Sequence, residues 1–259
     1  MNIILTGACG RMGRTVARLA EKNDDMVISA GVDTASPADP VSFPVFSTFE
    51  EITQDADALI DFSGPALLAP LLDFCMSRSL PAVIASTGFD DEGRHAIRNA
   101  SEQIAVFYSA NMSIGISLIT ALAREAARVI GLTSDIEIVE RHHSLKADSP
   151  SGTALALADA VSEEIPGSME FVYGRHDTDS RRASNEIGIH SVRGGTIVGD
   201  HEVMFLRPDE EVVISHHAYS RDIFAQGALA AARFIVQQSP GLYSMSDLIS
   251  DRELLGNRD

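Results

Sequence analysis

Two histidines and a lysine fall within five positions at His142-His143-Ser-Leu-Lys146, and Ser151-Gly152-Thr153 follows shortly after. Histidine titrates near neutral pH and can hand a proton to a reacting centre. The lysine is one of two in the chain, Lys22 and Lys146, against eighteen arginines. A compact, titratable ammonium has been kept where arginine is otherwise used. Ser151-Gly152-Thr153 leads into Ala154-Leu-Ala-Leu-Ala158, a run of strong helix formers. A helix start offers free backbone N–H groups, and glycine lets a ligand approach them closely. A proton source, a cation and an amide-lined helix end together suit the binding of one or two carboxylates beside a protonation step. Adjacent histidines on a strand point to opposite faces. With no cysteine nearby and no His-x-x-x-His spacing, no metal site is expected.

The neighbouring polar residues read less sharply. A lone histidine here would read as a packed or solvent-facing side chain; Lys146 and the helix start move the reading toward chemistry. Asp148 reads as orienting the loop or capping the helix. Glu137 and Glu140 have the spacing of neither a carboxylate pair nor a metal site and read as structural or interface residues. Arg193-Gly-Gly195 and His216-His217 read as exposed sheet residues at least as well as substrate contacts.

The element delivering the histidines is a strand, since Ile136, Ile138 and Val139 suit an extended, buried segment. Upstream, Asn2-Ile-Ile-Leu-Thr6 reads as a strand, followed by Gly7-Ala8-Cys9-Gly10-Arg11-Met12-Gly13 and a helix through Ala20. This is a Gly-x-x-Gly-x-x-Gly loop opening a helix after a strand. Its glycines allow a tight turn, approach of a pyrophosphate and close helix–strand packing, with the helix N-terminus facing the phosphates. A second strand, Met26 to Val32, ends at Asp33, where a carboxylate would accept from adenosine ribose hydroxyls. Thr34 follows where a basic residue could meet a 2′-phosphate, so NADH is favoured slightly over NADPH, although Arg11 could serve a phosphate. Cys9 could carry a lowered thiol pKa at the helix N-terminus, but fits better as a small residue against the phosphates.

Further strands at 57–61, 81–85 and 104–108 alternate with helices, which argues for a doubly wound parallel sheet with ligands at its carboxyl edge. The loops at Gly7, Asp33, Ser63, Thr87 and Asn111 would converge there. A long helix, Ile114 to Ile130, leads into a second domain. Residues 166–185 read as a polar loop, followed by strands near 187–192, 196–206 and 211–219. The expected fold is therefore α/β: a Rossmann-like doubly wound domain (1–112 and 222–259) and an α+β substrate-binding and oligomerisation domain (113–221) with a mixed or antiparallel open sheet. That sheet invites covering by another subunit. With 20 basic and 37 acidic side chains the net charge is −17, which argues against nucleic-acid or anionic-membrane binding. Two cysteines, no apolar run of membrane length and no visible signal peptide point to the cytoplasm.

The run Glu137-Ile-Val-Glu-Arg-His-His-Ser-Leu-Lys-Ala-Asp-Ser-Pro-Ser-Gly-Thr-Ala154 closely resembles the signature of the dihydrodipicolinate (4-hydroxy-tetrahydrodipicolinate) reductase family. The resemblance extends to Gly7–Gly13, Ile60-Asp-Phe-Ser63, Ser86-Thr-Gly-Phe89, Ala110-Asn-Met-Ser113, Arg193-Gly-Gly195 and Ser220-Arg221. Two departures fall in cofactor loops: Ala85 where glycine is usual and Met112 where phenylalanine is common. The resemblance implies NAD(P)H-dependent reduction of 4-hydroxy-tetrahydrodipicolinate, a small cyclic dicarboxylate, to tetrahydrodipicolinate in diaminopimelate and lysine biosynthesis. It implies His142 as proton donor, Lys146 as a second donor pairing with substrate charge, and His143, Gly152 and Thr153 as substrate-binding residues. It places the cofactor on Gly7, Ala8, Cys9, Gly10, Arg11, Met12, Asp33, Ala85, Ser86, Thr87, Ser109, Ala110, Asn111 and Met112. A homotetramer built through the second domain's sheet is also implied. Another NAD(P)-dependent dehydrogenase of this architecture would give no reason for the Lys and Ser-Gly-Thr anion site. A non-catalytic dinucleotide-binding regulator would need neither the proton donor nor the lysine.

Overall fold

The computed structural model describes residues 1–37, 40–176 and 181–251. In chain order the elements are β1 (Asn2–Thr6), α1 (Arg11–Ala20), β2 (Val27–Val32), β3 (Val45–Phe46), β4 (Ala58–Asp61), α2 (Leu68–Ser77), β5 (Ala82–Ile84), α3 (Asp91–Ser101) and β6 (Ala105–Tyr108). They continue with α4 (Ile114–Ile130), β7 (Asp135–His142), α5 (Gly152–Ser162), β8 (Glu170–Tyr173), β9 (Glu186–Arg193), β10 (Gly199–Leu206), β11 (Glu211–Ala218), α6 (Asp222–Ile235), β12 (Gly241–Tyr243) and α7 (Met245–Ser250). The chain divides into two compact units, one of Met1–Ile114 with Asp222–Asp259 and one of Gly115–Arg221.

The first unit is a seven-stranded sheet in the order β12-β6-β5-β4-β1-β2-β3, with every pairing parallel. Strand order reverses on either side of β1, the doubly wound arrangement expected from the alternating strands and helices. Strands buried on both faces need a helical layer on each. Ile3, Leu5, Ile60, Val83 and Phe107 pack with α1 and α6. Ile4, Leu59, Ile84 and Val106 pack with α2 and α3 on the opposite side. Asp90 caps α3, its side chain accepting from Gly93 N at 2.8 Å. β12 extends the sheet by pairing with β6.

The second unit is a five-stranded mixed sheet in the order β11-β10-β7-β9-β8. β7 pairs parallel with β9 and antiparallel with β10. β9 and β10 follow one another in sequence yet do not pair; β7 lies between them. α4 and α5 cover one face, burying Ile136, Ile138, Ile187, Ile189, Val203 and Phe205. β8 falls inside the segment expected to be a loop. It is four residues at a sheet edge, Glu170 and Tyr173 exposed and Phe171 and Val172 half-buried, paired with β9, so its alternation is too short to stand out from polar flanks. Residues 177–180 of that expected loop, and 252–259 of the tail, lie outside the described residues. No helix among the described residues is long and apolar enough to cross a membrane.

Candidate active site

In the first unit the strand register aligns Thr6 with Val32 and Asp61, Asp61 with Ile84, and Ile84 with Tyr108. The loops leaving these residues therefore share one edge, where open α/β sheets bind ligands. Gly7 has φ +68, and a Cβ there would sit 2.5 Å from the Phe62 carbonyl oxygen. A Cβ on Gly13 would lie 2.1 Å from the Gly7 oxygen, so α1 reaches the loop only because both residues are glycine. Gly10 is the N-cap of α1 and offers no side-chain cap, leaving the helix's first N–H groups to an anion. Asp33 stands past the end of β2, its carboxylate accepting from Cys9 N at 2.9 Å and Ala35 N at 3.0 Å. It thus fastens the Gly-rich loop itself. Burial, and then the Asp33 charge, raise the Cys9 thiol, so a lowered thiol pKa is not found there.

Other loops along this edge are equally fixed. Asp61, 1 % exposed, accepts from Thr6 Oγ1 and from Ser63 N, tying the ends of β1 and β4 together. Ser109 Oγ donates to the Asn111 carbonyl at 2.7 Å, and Asn111 Oδ1 accepts from Ser113 N at 2.9 Å. Ser86 is buried after β5, and its Oγ has no partner among the described residues. A buried, partnerless hydroxyl, a glycine cradle and an uncapped helix start fit a dinucleotide. Ala8, Ala85 and Met112 are different: their side chains lie in the hydrophobic core, so they can meet a ligand only through backbone. Arg11 and Thr87 are exposed, as is Ala110, while Met12 is half-buried.

In the second unit β7 alternates with period two. Ile136, Ile138, Glu140 and His142 are buried, and Glu137, Val139 and Arg141 are half-buried on the other face. The apolar row thus ends in a carboxylate and an imidazole. Glu140 is fully buried. Its Oε2 meets His142 Nδ1 at 2.6 Å and Oε1 accepts from Ser151 N at 3.1 Å. Arg193 spans both oxygens, Nη1 and Nη2 each at 2.7 Å. Burial by itself would raise the Glu140 carboxyl; hydrogen bonds from Arg193 and then His142 outweigh it and hold it at about 2. The carboxylate is therefore ionised and can only accept, so His142 Nδ1 carries the hydrogen and Nε2 is the nitrogen left for chemistry.

The remaining predicted residues gather around this point. Ser151 is the N-cap of α5, its Oγ accepting from Ala154 N at 3.1 Å, so the cap is Ser151 rather than Asp148. Asp148 instead pairs with Lys146 at 2.8 Å, and its carbonyl accepts from Arg193 at 2.7 Å. His143 lies just past β7, its carbonyl closing a turn onto Lys146 N. Gly152 is exposed with open space above it, and Thr153 follows half-buried. His201, on β10 opposite Glu140, stacks edge-on to His142 at 5.2 Å between ring centres and reaches Ser151 Oγ at 3.2 Å. Burial, and then proximity to His142, push His201 down to about 4. Glu140, Arg193 and His201 were not singled out for chemistry by the sequence reading. A signal existed for the first: Glu140 shares the parity of Ile136 and Ile138, which places a carboxylate on the core face. Arg193 is not an exposed sheet residue, because parallel pairing sets it opposite His142. His217 pairs with Asp200 at 3.3 Å, and burial, then His217, lower His216. Among the described residues no cluster of His, Cys, Asp and Glu could hold a metal ion.

Residues 1–112 match the family model described as dihydrodipicolinate reductase, N-terminus, and residues 115–249 match dihydrodipicolinate reductase, C-terminus. The chain is 47% identical over 249 residues to a 4-hydroxy-tetrahydrodipicolinate reductase of Caldanaerobacter subterraneus subsp. tengcongensis, covering 96% of this chain and 98% of that one. It is 46% identical over 250 residues to one of Clostridium botulinum, covering 96% and 98%. Among solved structures it resembles dipicolinate-bound dihydrodipicolinate reductase from Paenisporosarcina sp. TG-14, with TM-score 0.81, 24% identity and coverage of 94% and 97%. A probable dehydrogenase from Thermotoga maritima shares the fold more distantly, with TM-score 0.64, 14% identity and coverage of 98% and 94%.

The buried titratable groups fix the acid response of the second unit. His201 is depressed from 6.5 to about 4, so its neutral state stabilises the fold fully above pH 6.5. That contribution is lost as pH falls to about 4, because the unfolded chain takes the proton first. The loss is about 3 kcal/mol. Glu140 adds a second loss between its ordinary 4.5 and about 2. Urea unfolding at pH 7, 5.5 and 4 should show a stability decline that His201→Gln flattens; parallel pH slopes for variant and wild type would refute the assignment.

Proposed function

The chain belongs to the dihydrodipicolinate reductase family, NAD(P)H-dependent oxidoreductases of diaminopimelate and lysine biosynthesis, and we propose that its second unit holds 4-hydroxy-tetrahydrodipicolinate and protonates it during reduction to tetrahydrodipicolinate. The observation that carries this reading is that His142 and the α5 start both bond the Glu140 carboxylate, while Lys146 is tied through Asp148 to Arg193, which bonds the same carboxylate. The reading also agrees with the dipicolinate held by the Paenisporosarcina relative. One substrate carboxylate lies at Gly152 and Thr153, where helix N–H groups and the positive end of the helix dipole favour an anion. Lys146 supplies the second charge, exchanging its Asp148 partner for the substrate, and His143 borders the same loop. The dicarboxylate's two charges answer those of the site, which selects a small dianionic ring over neutral sugars or amino acids.

When bound, a nicotinamide coenzyme would supply the hydride, and the substrate's 4-hydroxyl leaves as water, so hydride and proton added with one water lost give tetrahydrodipicolinate. His142 delivers a proton from Nε2 while Glu140 accepts from Nδ1–H and stabilises the imidazolium; a poised general acid is worth roughly 10²–10⁴-fold. Gly7, Gly10 and Gly13 shape the phosphate cradle in the first unit, and the ends of β4, β5 and β6 supply Ser86, Ser109 and Asn111. Asp33 favours NADH: its carboxylate suits ribose hydroxyls and repels a 2′-phosphate. The enzyme acts in the cytoplasm as a homotetramer joined through the second unit's sheet. β11 supports that assembly as an edge strand with exposed Val212 and Val213.

A coupled assay with the dihydrodipicolinate synthase product should show oxidation of NADH or NADPH; no oxidation of either coenzyme removes the reading. His142→Ala and Lys146→Ala should each lower kcat by roughly 10²-fold or more with NADH affinity nearly unchanged. Wild-type turnover in both would show that the roles are misassigned. Asp33→Ala should shift the ratio of kcat/KM toward NADPH, and an unmoved ratio counts against the ribose role. Light scattering should give four chains; a single-chain mass would rule out the tetramer.

A further inference from the structure

We propose that Glu140 is a positioning residue that locks the proton donor to the carboxylate-binding helix start, a role resting on the assignment of His142 above. Its two oxygens are divided between the two tasks. Oε2 holds His142 Nδ1 at 2.6 Å, and Oε1 holds Ser151 N, the N-cap backbone of α5, at 3.1 Å. Arg193 grips both oxygens and, through Nη2, the Asp148 carbonyl at 2.7 Å. The loop carrying Lys146 is therefore tied to the same carboxylate, since Asp148 pairs with Lys146 at 2.8 Å. Three groups that must meet one small substrate are thus spaced from a single buried anion. A helix packed on a sheet by apolar contact alone could slide by a fraction of an ångström, whereas charge-assisted hydrogen bonds are short and directional.

The carboxylate also sets the imidazole's chemistry. Accepting from Nδ1–H leaves Nε2 as the site that gains and loses the proton. A second restraint comes from Gly199, where a Cβ would lie 3.0 Å from His142 Nε2, so the ring occupies space that any side chain at this position would contest. His201 closes the other side, ring against ring at 5.2 Å. In Glu140→Gln the amide oxygen can still accept from Ser151 N, but its NH₂ must face His142 or Arg193. Facing His142, it forces Nδ1 to accept and opposes the charged ring, which would point an N–H at an N–H.

The test compares Glu140→Gln, Glu140→Asp, His142→Gln and the Glu140→Gln/His142→Gln double variant, with NADH binding and thermal melting as checks of folding. Glu140→Gln should lower kcat roughly 10²-fold. Its KM for the dicarboxylate should move by less than about threefold, because the Ser151 bond survives. Nitrogen-15 NMR should find His142 protonated on Nδ1 in the neutral wild-type ring and on Nε2 in the variant. In the double variant Glu140→Gln should cost almost nothing beyond His142→Gln, as two groups acting through one proton require. Glu140→Asp keeps the charge for Arg193 but is one methylene short of Nδ1; it should fold and still lose kcat, so it carries the test if the amide variant does not fold. Near wild-type kcat in the Glu140 variants, an unchanged tautomer, or fully multiplicative losses in the double variant would overturn the proposal. Wild-type turnover in His142→Gln would remove the proton-donor reading first, and this proposal with it.

Discussion

A carboxylate with no exposure to solvent organises the second unit. An ionised group in that position costs several kcal/mol to desolvate and persists only if its partners are close and well aimed. Among the contacts of Glu140 are His142, Ser151, both terminal nitrogens of Arg193 and the Ser191 side chain. The donors come from three stretches of chain, so the requirement to satisfy one anion fixes the end of β7, the start of α5 and the end of β9 together. Removing the Arg193 guanidinium would leave a buried charge uncompensated, which costs roughly 3–5 kcal/mol. The apolar row of Ile136 and Ile138 holds the sheet to its helices, and the ionic end of the same row joins β7 to α5 and β9.

The first unit solves an analogous problem with less charge. Its ligand edge is a line of strand ends kept in register by parallel pairing, and buried Asp61 ties β1 to β4 at that line through Thr6 and Ser63. Backbone does most of the remaining work. Gly7 and Gly13 let a turn, a strand and a helix approach within distances that a Cβ would forbid. Asp33 both borders the loop and holds Cys9 N, so the carboxylate at the end of β2 also fixes the Gly-rich turn. In both units functional atoms lie where strand pairing ends, because backbone groups and side chains there are no longer consumed by the sheet.

The loop between β7 and α5 carries an ion pair of its own. Lys146 is not left bare; Asp148 holds it, with the carboxylate kept below the usual range by the lysine itself. A lysine side chain has considerable rotamer freedom, and a pair whose lysine is half-buried and whose carboxylate is exposed costs little to exchange. The ion pair can therefore open at little cost.

Sequence alone determined what depends on neighbours along the chain. Strand β1, its Gly-rich loop and α1, the termination of β2 at Asp33, and the strand, His-His-x-x-Lys and Ser-Gly-Thr succession are all local patterns of period, turn and cap. The period-two burial that puts Glu140 beside His142 is equally local, though its meaning is clear only once a core face is identified. Tertiary structure alone decided what depends on pairing across distance. β9 lies against β7 in parallel, rather than against its sequence neighbour β10, and only that register brings Arg193 to Glu140 across 53 positions. β8, four residues at an edge, exists because β9 offers it hydrogen bonds, and His201 reaches the site because antiparallel β10 sets it opposite Glu140. Periodicity states which face a side chain takes; it carries no information about which strand will lie alongside. A charge buried between strands is therefore visible in sequence as an oddity, and becomes intelligible only when its partners are seen.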